Sequence, residues 1–151
     1  MDTFDYIIVG AGSAGCVIAN RLSGNGRFRV LLLEAGPKDS TVLIRMPKGF
    51  GALVQNKTYV RHFLTEAPED GSIRVEDLPR GMTLGGSSSV NGTLYVRGQP
   101  QDYDDWEALG AEGWGWKEIG ACLKKLEDNS LGPDGVRGIG GPLHVSPHPG
   151  R

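Results

Sequence analysis

Residues Asp5–Ala35 read DYIIVGAGSAGCVIANRLSGNGRFRVLLLEA, and this stretch decides the fold. An apolar strand at 4–9 leads through a glycine-rich turn into a helix from Ser13 to about Ser23, and a second apolar strand follows at 29–33. Both strands are apolar at nearly every position, which is typical of strands covered on both faces of a parallel sheet. Because a strand–helix–strand crossover is right-handed, the stretch predicts the first unit of a doubly wound parallel α/β sheet.

The turn between the first strand and the helix has three glycines at the spacing GxGxxG. Gly10 permits the sharp turn, Gly12 leaves room for a pyrophosphate, and Gly15 lets the helix lie against the strand. The helix N-terminus favours an anion through its N–H groups and its dipole. Glu34, 19 residues after Gly15, can accept hydrogen bonds from an adenosine ribose. The stretch therefore predicts an adenine dinucleotide site; the alternative is a glycine turn that merely begins a helix.

Composition narrows the class of protein. The 151 residues, 38% hydrophobic and 23% charged, are typical of one soluble globular domain, and the net charge of −2 gives no reason to expect nucleic acid as a partner. Cys16 and Cys122 form neither a disulfide framework nor a metal-site pattern. We expect a cytoplasmic protein with no membrane partner, because the sequence shows neither a signal peptide nor an apolar stretch that could cross a bilayer.

After residue 35 the pattern becomes irregular as far as residue 81. The segment Tyr59–Thr65 is consistent with a strand, and Asp70-Gly71 is a turn signal. Helices are predicted over Asp102–Leu109 and Lys117–Asp128, the second clearly amphipathic, and a short strand over Leu143–Val145.

A second motif, Pro79–Gly98, reads PRGMTLGGSSSVNGTLYVRG. The Gly85-Gly86 backbone can press flat against a ligand, and the three serines that follow add short hydrogen-bond donors. Backbone N–H groups at the start of a segment that turns helical near Asn91 predict a second anion or ring-edge site. A flexible glycine–serine linker is the alternative; the apolar and aromatic residues that closely bound the motif disfavour it.

Together the two motifs resemble the glucose-methanol-choline (GMC) family of FAD-dependent oxidoreductases. Within that family, the sequence is most similar to the bacterial aryl-alcohol, furfural or choline-dehydrogenase-like branch. The resemblance covers nearly the whole chain, including LLLEAG and the downstream run DYDDWEALGAEGWGWKEI. It implies that 1–151 is the N-terminal part of a Rossmann-like FAD-binding domain, incomplete in this chain and carrying GMC-type insertions. Within it, 1–35 is the dinucleotide-binding unit, 79–98 the family signature loop, and 142–151 a candidate start of the substrate domain.

The resemblance also implies which residues hold FAD. Those that cradle the pyrophosphate are Gly10, Gly12, Ser13, Ala14 and Gly15. Glu34 holds the adenosine ribose, with Ala35 beside it. Those along the flavin side are Ser87, Asn91, Gly92 and Leu94. Arg80 and Gly81 lead into this loop and are expected to approach the adenine half.

Two departures from the family pattern stand out. Met82 replaces a residue that is commonly basic or small and polar, which weakens the signature slightly. Val90 stands where a few members carry a histidine that links to the flavin, so FAD is expected to be bound non-covalently. The Tyr95–Arg97 neighbourhood and the loop near Phe50 are expected to approach the substrate or its entrance.

Family members oxidise an alcohol carbon: the hydride goes to flavin N5, and a histidine near the C-terminus of a much longer chain takes the hydroxyl proton. His62, His144 and His148 do not match that motif, so we expect neither a catalytic residue nor a metal ligand among these residues. Two parallel strands also need further strands beside them. The expected partners are FAD, an alcohol and a second polypeptide that carries the C-terminal remainder of the enzyme.

Two other functions stay open at this point. A non-catalytic nucleotide-binding or assembly module derived from a flavoenzyme would explain the missing base, although such a module has no use for the flavin-side loop. An NAD-dependent dehydrogenase would use Glu34 and GxGxxG equally well, and only the 79–98 signature favours flavin. The sequence names neither the alcohol nor the electron acceptor.

Overall fold

The computed structural model describes residues 2–68, 71 and 74–148. The chain divides into two compact units, Met1–Leu94 and Tyr95–Arg151. The helices and strands of the first unit, with a 3-10 turn at Pro47–Gly49 between α2 and α3, are β1 (Tyr6–Val9), α1 (Ser13–Ser23), β2 (Val30–Leu33), α2 (Val42–Arg45), α3 (Phe50–Val54), β3 (Val60–Leu64), β4 (Asp77–Gly81) and α4 (Ser87–Val90). Those of the second unit are α5 (Pro100–Ala108), α6 (Trp116–Leu126), β5 (Glu127–Asn129) and β6 (Leu143–Val145).

The first three elements form the predicted strand–helix–strand unit. β1 and β2 pair in parallel, with Tyr6 opposite Val30 and Val9 opposite Leu33. The helix has the predicted bounds, whereas the strands begin two residues and one residue later than predicted. The parallel α/β arrangement at the start of the chain is confirmed.

The described residues do not cover both faces of these two strands, which is the state expected of strands that need further strands beside them. Ile7 and Val9 in β1 are 62% and 84% exposed, and Leu33 at the end of β2 is 45% exposed. The physical reason is that the sheet has two strands in the part of the chain that the structure describes, so each strand has an open edge. Both strands have the apolar sequence of strands covered on both faces, but the described residues do not supply that cover.

The irregular stretch up to residue 81 contains more structure than the sequence predicted. The predicted strand is confirmed as β3, and it pairs antiparallel with β4, which the sequence analysis missed. Pro79 hides that strand, because proline lacks a backbone donor and is confined to edge positions; in the structure it lies opposite His62. Of the predicted turn, Asp70 lies outside the described residues, and Gly71 has a left-handed φ of 66°.

The core of the first unit is small and joins the helices of this stretch to the second motif. Leu53, Val60 and Val90 are buried together, and partly buried side chains packed against them come from Leu43, Ile44 and Tyr59. Fully burying one such apolar side chain contributes about 1.5–3 kcal/mol. The core therefore attaches α4, within the signature loop, to α3 and β3.

In the second unit, α5 begins two residues earlier than predicted because Gln99 and Asp102 form a capping box with Pro100 in the first turn. Asp104 of the same helix accepts a hydrogen bond from the Trp116 N–H at the start of α6, at 2.9 Å. α6 ends at Leu126, two residues before the prediction. Its expected last residues instead form β5, which pairs in parallel with the predicted strand β6.

Candidate functional site

The glycine turn has the geometry that the sequence predicts. Gly10 has a φ of 94°, and its N–H donates to the Leu33 carbonyl at 2.8 Å. A Cβ at Gly15 would overlap the Gly10 carbonyl oxygen, so only glycine allows this approach of helix to strand. A Cβ at Gly12 would meet no atom within 4 Å. There is thus open space in front of the turn, beside the helix start at Ser13 and Ala14.

Glu34 is held by two backbone groups. Its Oε2 accepts from the Ala11 N–H at 2.8 Å, and its Oε1 accepts from the Gly36 N–H at 2.9 Å. Each carboxylate oxygen has two lone pairs, so each keeps one acceptor position for a ribose hydroxyl. Ala35 lies between Glu34 and Gly36 in the chain and is exposed.

The second motif packs directly on the first. The Gly85 N–H donates to the Ala11 carbonyl at 2.7 Å, and Gly85 and Gly86 both have a positive φ. A Cβ at Gly86 would come within 2.8 Å of the Gly12 Cα, so the two glycine backbones lie in contact. The glycine turn and the signature loop therefore form one continuous surface, which neither motif reveals in the sequence alone.

The serines of the second motif differ from the prediction. The helical part begins at Ser87 and ends at Val90, before rather than after Asn91. The hydroxyls of Ser88 and Ser89 donate to the Gly85 and Leu84 carbonyls at 2.5 and 2.7 Å. They are thus used to shape the loop.

The hydroxyl of Ser87 accepts from the Gly81 N–H at 3.0 Å, which fastens the loop to β4. Arg80, beside Gly81, is exposed and donates to the Pro79 carbonyl at 2.9 Å. The approach of Arg80 and Gly81 to the adenine half stays a prediction.

After the helix, the chain passes a cavity of about 230 Å³ lined by Asn91 and Thr93 on one side and by Met46, Pro47 and Phe50 on the other. Asn91 Oδ1 accepts from the Thr93 N–H at 2.9 Å. Thr93 has a φ of 56°, a conformation that a β-branched residue rarely adopts. Such strain persists where the surroundings impose it, and it is common at ligand sites.

The neighbouring signature residues bear on two further predictions. A Cβ at Gly92 would approach the Phe50 ring at 3.9 Å, so the loop near Phe50 does meet the signature segment. Leu94 is exposed. Val90, the position to which the sequence resemblance drew attention, is 6% exposed and belongs to the core.

The expected substrate neighbourhood at Tyr95–Arg97 has a structural role in the second unit. The Arg97 guanidinium forms an ion pair with the buried Glu127 carboxylate and donates to the Val136 carbonyl at 3.0 Å. Hydrogen bonds from the Asn129 amide and then from the Gly138 N–H, with Arg97 adding to them, lower the pKa of Glu127 below its usual value. This pair fastens the C-terminal end of the signature loop to β5.

His62 is engaged on both ring nitrogens. Nδ1 lies 2.7 Å from Asp77 Oδ2 and Nε2 lies 2.9 Å from the Val54 carbonyl. Both partners are acceptors, so both nitrogens carry protons when both bonds form. The Asp77 carboxylate, and then the Val54 carbonyl, raise the pKa of His62 above its ordinary value. The imidazole thus links β3 to β4 through Asp77 and reaches the Val54 carbonyl, and both of its nitrogens are engaged within the chain.

The two later histidines lie in the second unit. His144 Nδ1 is 3.4 Å from Asp128, and His148 is exposed. Within the described ranges, no cluster of His, Cys, Asp and Glu could hold a metal ion. No helix among those same residues is long and apolar enough to cross a membrane.

Comparison with protein families decides between the flavin and the NAD alternatives. Residues 4–150 match the family model described as GMC oxidoreductase. The chain belongs to the GMC oxidoreductase family. This confirms the resemblance and the flavin cofactor, FAD, of that family over the NAD alternative.

Individual relatives agree with this assignment. The chain is 50% identical over 144 residues to the alcohol dehydrogenase [acceptor] of Pseudomonas putida, covering 95% of this chain and 26% of that protein. It is 48% identical over 142 residues to the oxygen-dependent choline dehydrogenase of Photobacterium profundum, covering 93% and 25%. The crystal structure of pyridoxine 4-oxidase from Mesorbium loti superposes with a TM-score of 0.81 at 39% identity, over 94% of this chain and 28% of that one. The chain thus spans about a quarter of the length of the relatives it matches.

Proposed function

We propose that this chain supplies the FAD-binding part of an enzyme that oxidises an alcohol. The observation that carries the proposal is the contact of Gly85 and Gly86 with Ala11 and Gly12, which joins the pyrophosphate turn and the flavin-side loop into one surface. A module that bound only a nucleotide would need the first motif alone. The second motif is in place here and is built to lie along a longer cofactor.

The residues present fit FAD. The open space in front of Gly12 leaves room for the pyrophosphate at the start of α1, where the first N–H groups of a helix have no partner within the helix. Glu34 would accept the ribose hydroxyls through its remaining lone pairs. When bound, FAD supplies the hydride acceptor, flavin N5. The remaining predicted contacts, Ser87, Asn91, Gly92 and Leu94, belong to this proposal as the flavin side.

FAD binding is proposed to be non-covalent. Val90 has no group that can bond to a flavin carbon, and its side chain lies in the core with Leu53 and Val60.

The two cysteines are free thiols, which favours a reducing, cytoplasmic setting.

The alcohol is proposed to place its apolar part in the cavity between Phe50 and Asn91. The walls of this cavity are mainly apolar, its polar groups belong to the signature loop, and no charged side chain lines it among the described residues. This lining suits a neutral primary or aromatic alcohol. The Pseudomonas relative is named an alcohol dehydrogenase, in keeping with such a substrate.

The general base is proposed to lie outside these 151 residues, on a second polypeptide that carries the C-terminal remainder of the enzyme. His62 is occupied on both nitrogens, which supports this view. The exposed side chains of Ile7 and Val9 offer an apolar sheet edge and face on which such a polypeptide would dock.

The test is native mass spectrometry of the protein as isolated, followed by anaerobic addition of a primary aromatic alcohol with absorbance recorded in the flavin band. A complex of this chain, a larger polypeptide and one FAD, whose flavin band bleaches with the alcohol, is the expected result. FAD without bleaching across a panel of alcohols would favour the non-catalytic module. A chain that does not retain FAD would contradict the proposal outright.

A further inference from the structure

We propose that Thr83 is a positioning residue for the adenosine ribose, acting on Glu34 through the Gly36-Pro37 turn. The inference rests on the proposed placement of the FAD ribose at Glu34. Thr83 is fully buried, and it is a polar residue of the signature loop to which the sequence analysis gave no role. Its hydroxyl donates to the Pro37 carbonyl at 2.8 Å, across 46 positions of sequence.

The Pro37 carbonyl is the point where the signature loop holds the turn after β2. It also accepts the Leu84 N–H at 3.3 Å, a longer contact than the one from Thr83. The backbones are pressed together as well, because a Cβ at Gly36 would overlap the Met82 carbonyl. The Gly36-Pro37 turn therefore has a fixed position relative to the loop. The shortest hydrogen bond between this turn and a side chain is the one from the Thr83 hydroxyl.

The Gly36-Pro37 turn also orients the Glu34 carboxylate, which is proposed to bind the ribose. The Gly36 N–H, one residue before Pro37, donates to Glu34 Oε1, while Ala11 donates to Oε2. Ala11 is itself tied back to the loop by the Gly85 N–H. A ring of contacts thus runs from Thr83 through Pro37 and Gly36 to Glu34, and returns through Ala11 and Gly85.

The chemistry explains why a hydroxyl is needed here. Without the Thr83 hydroxyl, the Pro37 carbonyl keeps only the longer contact from the Leu84 N–H at 3.3 Å, and the turn would shift to recover a second hydrogen bond. The Gly36 N–H would move with it, and the Glu34 carboxylate would lose its alignment with the ribose hydroxyls. The phosphate contacts at the start of α1 would change little, because Ala11 keeps its own bond from the Gly85 N–H.

The test measures binding of FAD, and of an FAD analogue lacking both adenosine ribose hydroxyls, to the wild-type protein and to Thr83→Val and Thr83→Ser. We expect Thr83→Val to weaken FAD binding about three- to tenfold and to leave binding of the analogue unchanged. Thr83→Ser should restore the wild-type ratio of the affinities for FAD and for the analogue. Hydrogen exchange of the Gly36 amide in the FAD-free protein should accelerate in Thr83→Val and recover in Thr83→Ser.

Thr65→Val is the matched control, because Thr65 makes a comparable 2.8 Å bond with the Glu76 N–H at the end of the β3–β4 pair. It should leave the ratio of the two affinities unchanged. An equal loss of both ligands in Thr83→Val, or no rescue by serine, would overturn the positioning role. If the wild-type protein binds FAD and the analogue equally, the ribose contact at Glu34 is wrong instead, and the proposed function has failed at that point.

Discussion

The glycine turn and the sheet that carries it differ in how completely the described residues surround them: the polar groups of the turn have hydrogen-bond partners, whereas apolar side chains of the sheet are left exposed. At the turn, backbone groups of Gly10, Ala11 and Gly85 have partners at 2.7–2.8 Å, and the Glu34 carboxylate has two. In the sheet, Ile7 and Val9 are mostly exposed. The difference teaches that the polar geometry of a cofactor site is set by local hydrogen bonds and glycine contacts, while the apolar cover of its sheet is a separate requirement. Substitutions at the turn and in the sheet should therefore have separable effects.

The largest expected effect comes from Gly15→Ala. The added Cβ overlaps the Gly10 carbonyl oxygen, so the turn must shift out of the geometry proposed to bind the pyrophosphate. We expect FAD affinity, measured by fluorescence titration, to fall on the order of 100-fold or more, with about 1–3 kcal/mol of stability lost to overpacking.

Gly51→Ala is the control, because a Cβ there meets nothing within 4 Å in helix α3. It should stabilise slightly, by about 0.5–1 kcal/mol, and leave FAD affinity unchanged. Equal FAD affinity in Gly15→Ala and wild type would refute the close-approach argument.

Leu53→Ala should distinguish the contribution of the core to stability from the contribution of the glycine turn to ligand binding. Leu53 is 1% exposed between Val60 and Val90, and truncating a buried leucine typically costs about 3 kcal/mol. Urea unfolding should show this loss in full, while binding of ADP to the folded protein changes little. A loss below about 1 kcal/mol would mean that the core collapses around the cavity.

The His62–Asp77 pair should make stability depend on pH. The folded state raises the pKa of His62 above the ordinary 6.5, so its stabilising contribution is fully present below that pH. It is lost as pH rises through the raised pKa. Melting temperatures across this window should fall with increasing pH in the wild type and less steeply in His62→Gln. An identical slope in both proteins would show that His62 does not contribute.

The smallest effect on the chain itself is expected at Val9. Val9→Ser should change the free energy of unfolding by less than about 0.5 kcal/mol, since the side chain is already mostly exposed. It should, however, weaken association with the proposed second polypeptide, as measured by native mass spectrometry. A destabilisation as large as that of Leu53→Ala would show that this face is covered within the chain.

The local motifs were predictable because each depends on nearby residues. The bounds of α1 follow from its glycine turn and apolar stripe, and Gly15 from its need to approach Gly10. What escaped prediction depends on distant partners. β4 is disguised by Pro79 and is a strand because β3 pairs with it, and α6 stops at Leu126 because Glu127 binds Arg97 and pairs toward Leu143.

The same limit applies inside the site. The spacing of GxGxxG and Glu34 identifies the first motif, and Gly85-Gly86 marks the second. Neither indicates that Gly86 touches Gly12 or that Thr83 binds Pro37, since no local pattern encodes a contact across such a separation. The sequence likewise predicts Ser88 and Ser89 as hydrogen-bond donors, but it does not indicate that their acceptors are carbonyl groups of their own loop.

The contact between Gly12 and Gly86 joins positions 74 residues apart in the chain. Closing so long a loop carries an entropic cost, and contacts of high sequence separation form slowly. On a ribosome, the first strand–helix–strand unit can pair well before the segment around Gly86 has emerged. The dinucleotide turn would therefore exist for a time without its second wall, and tight loading of FAD would begin only when that later segment arrives.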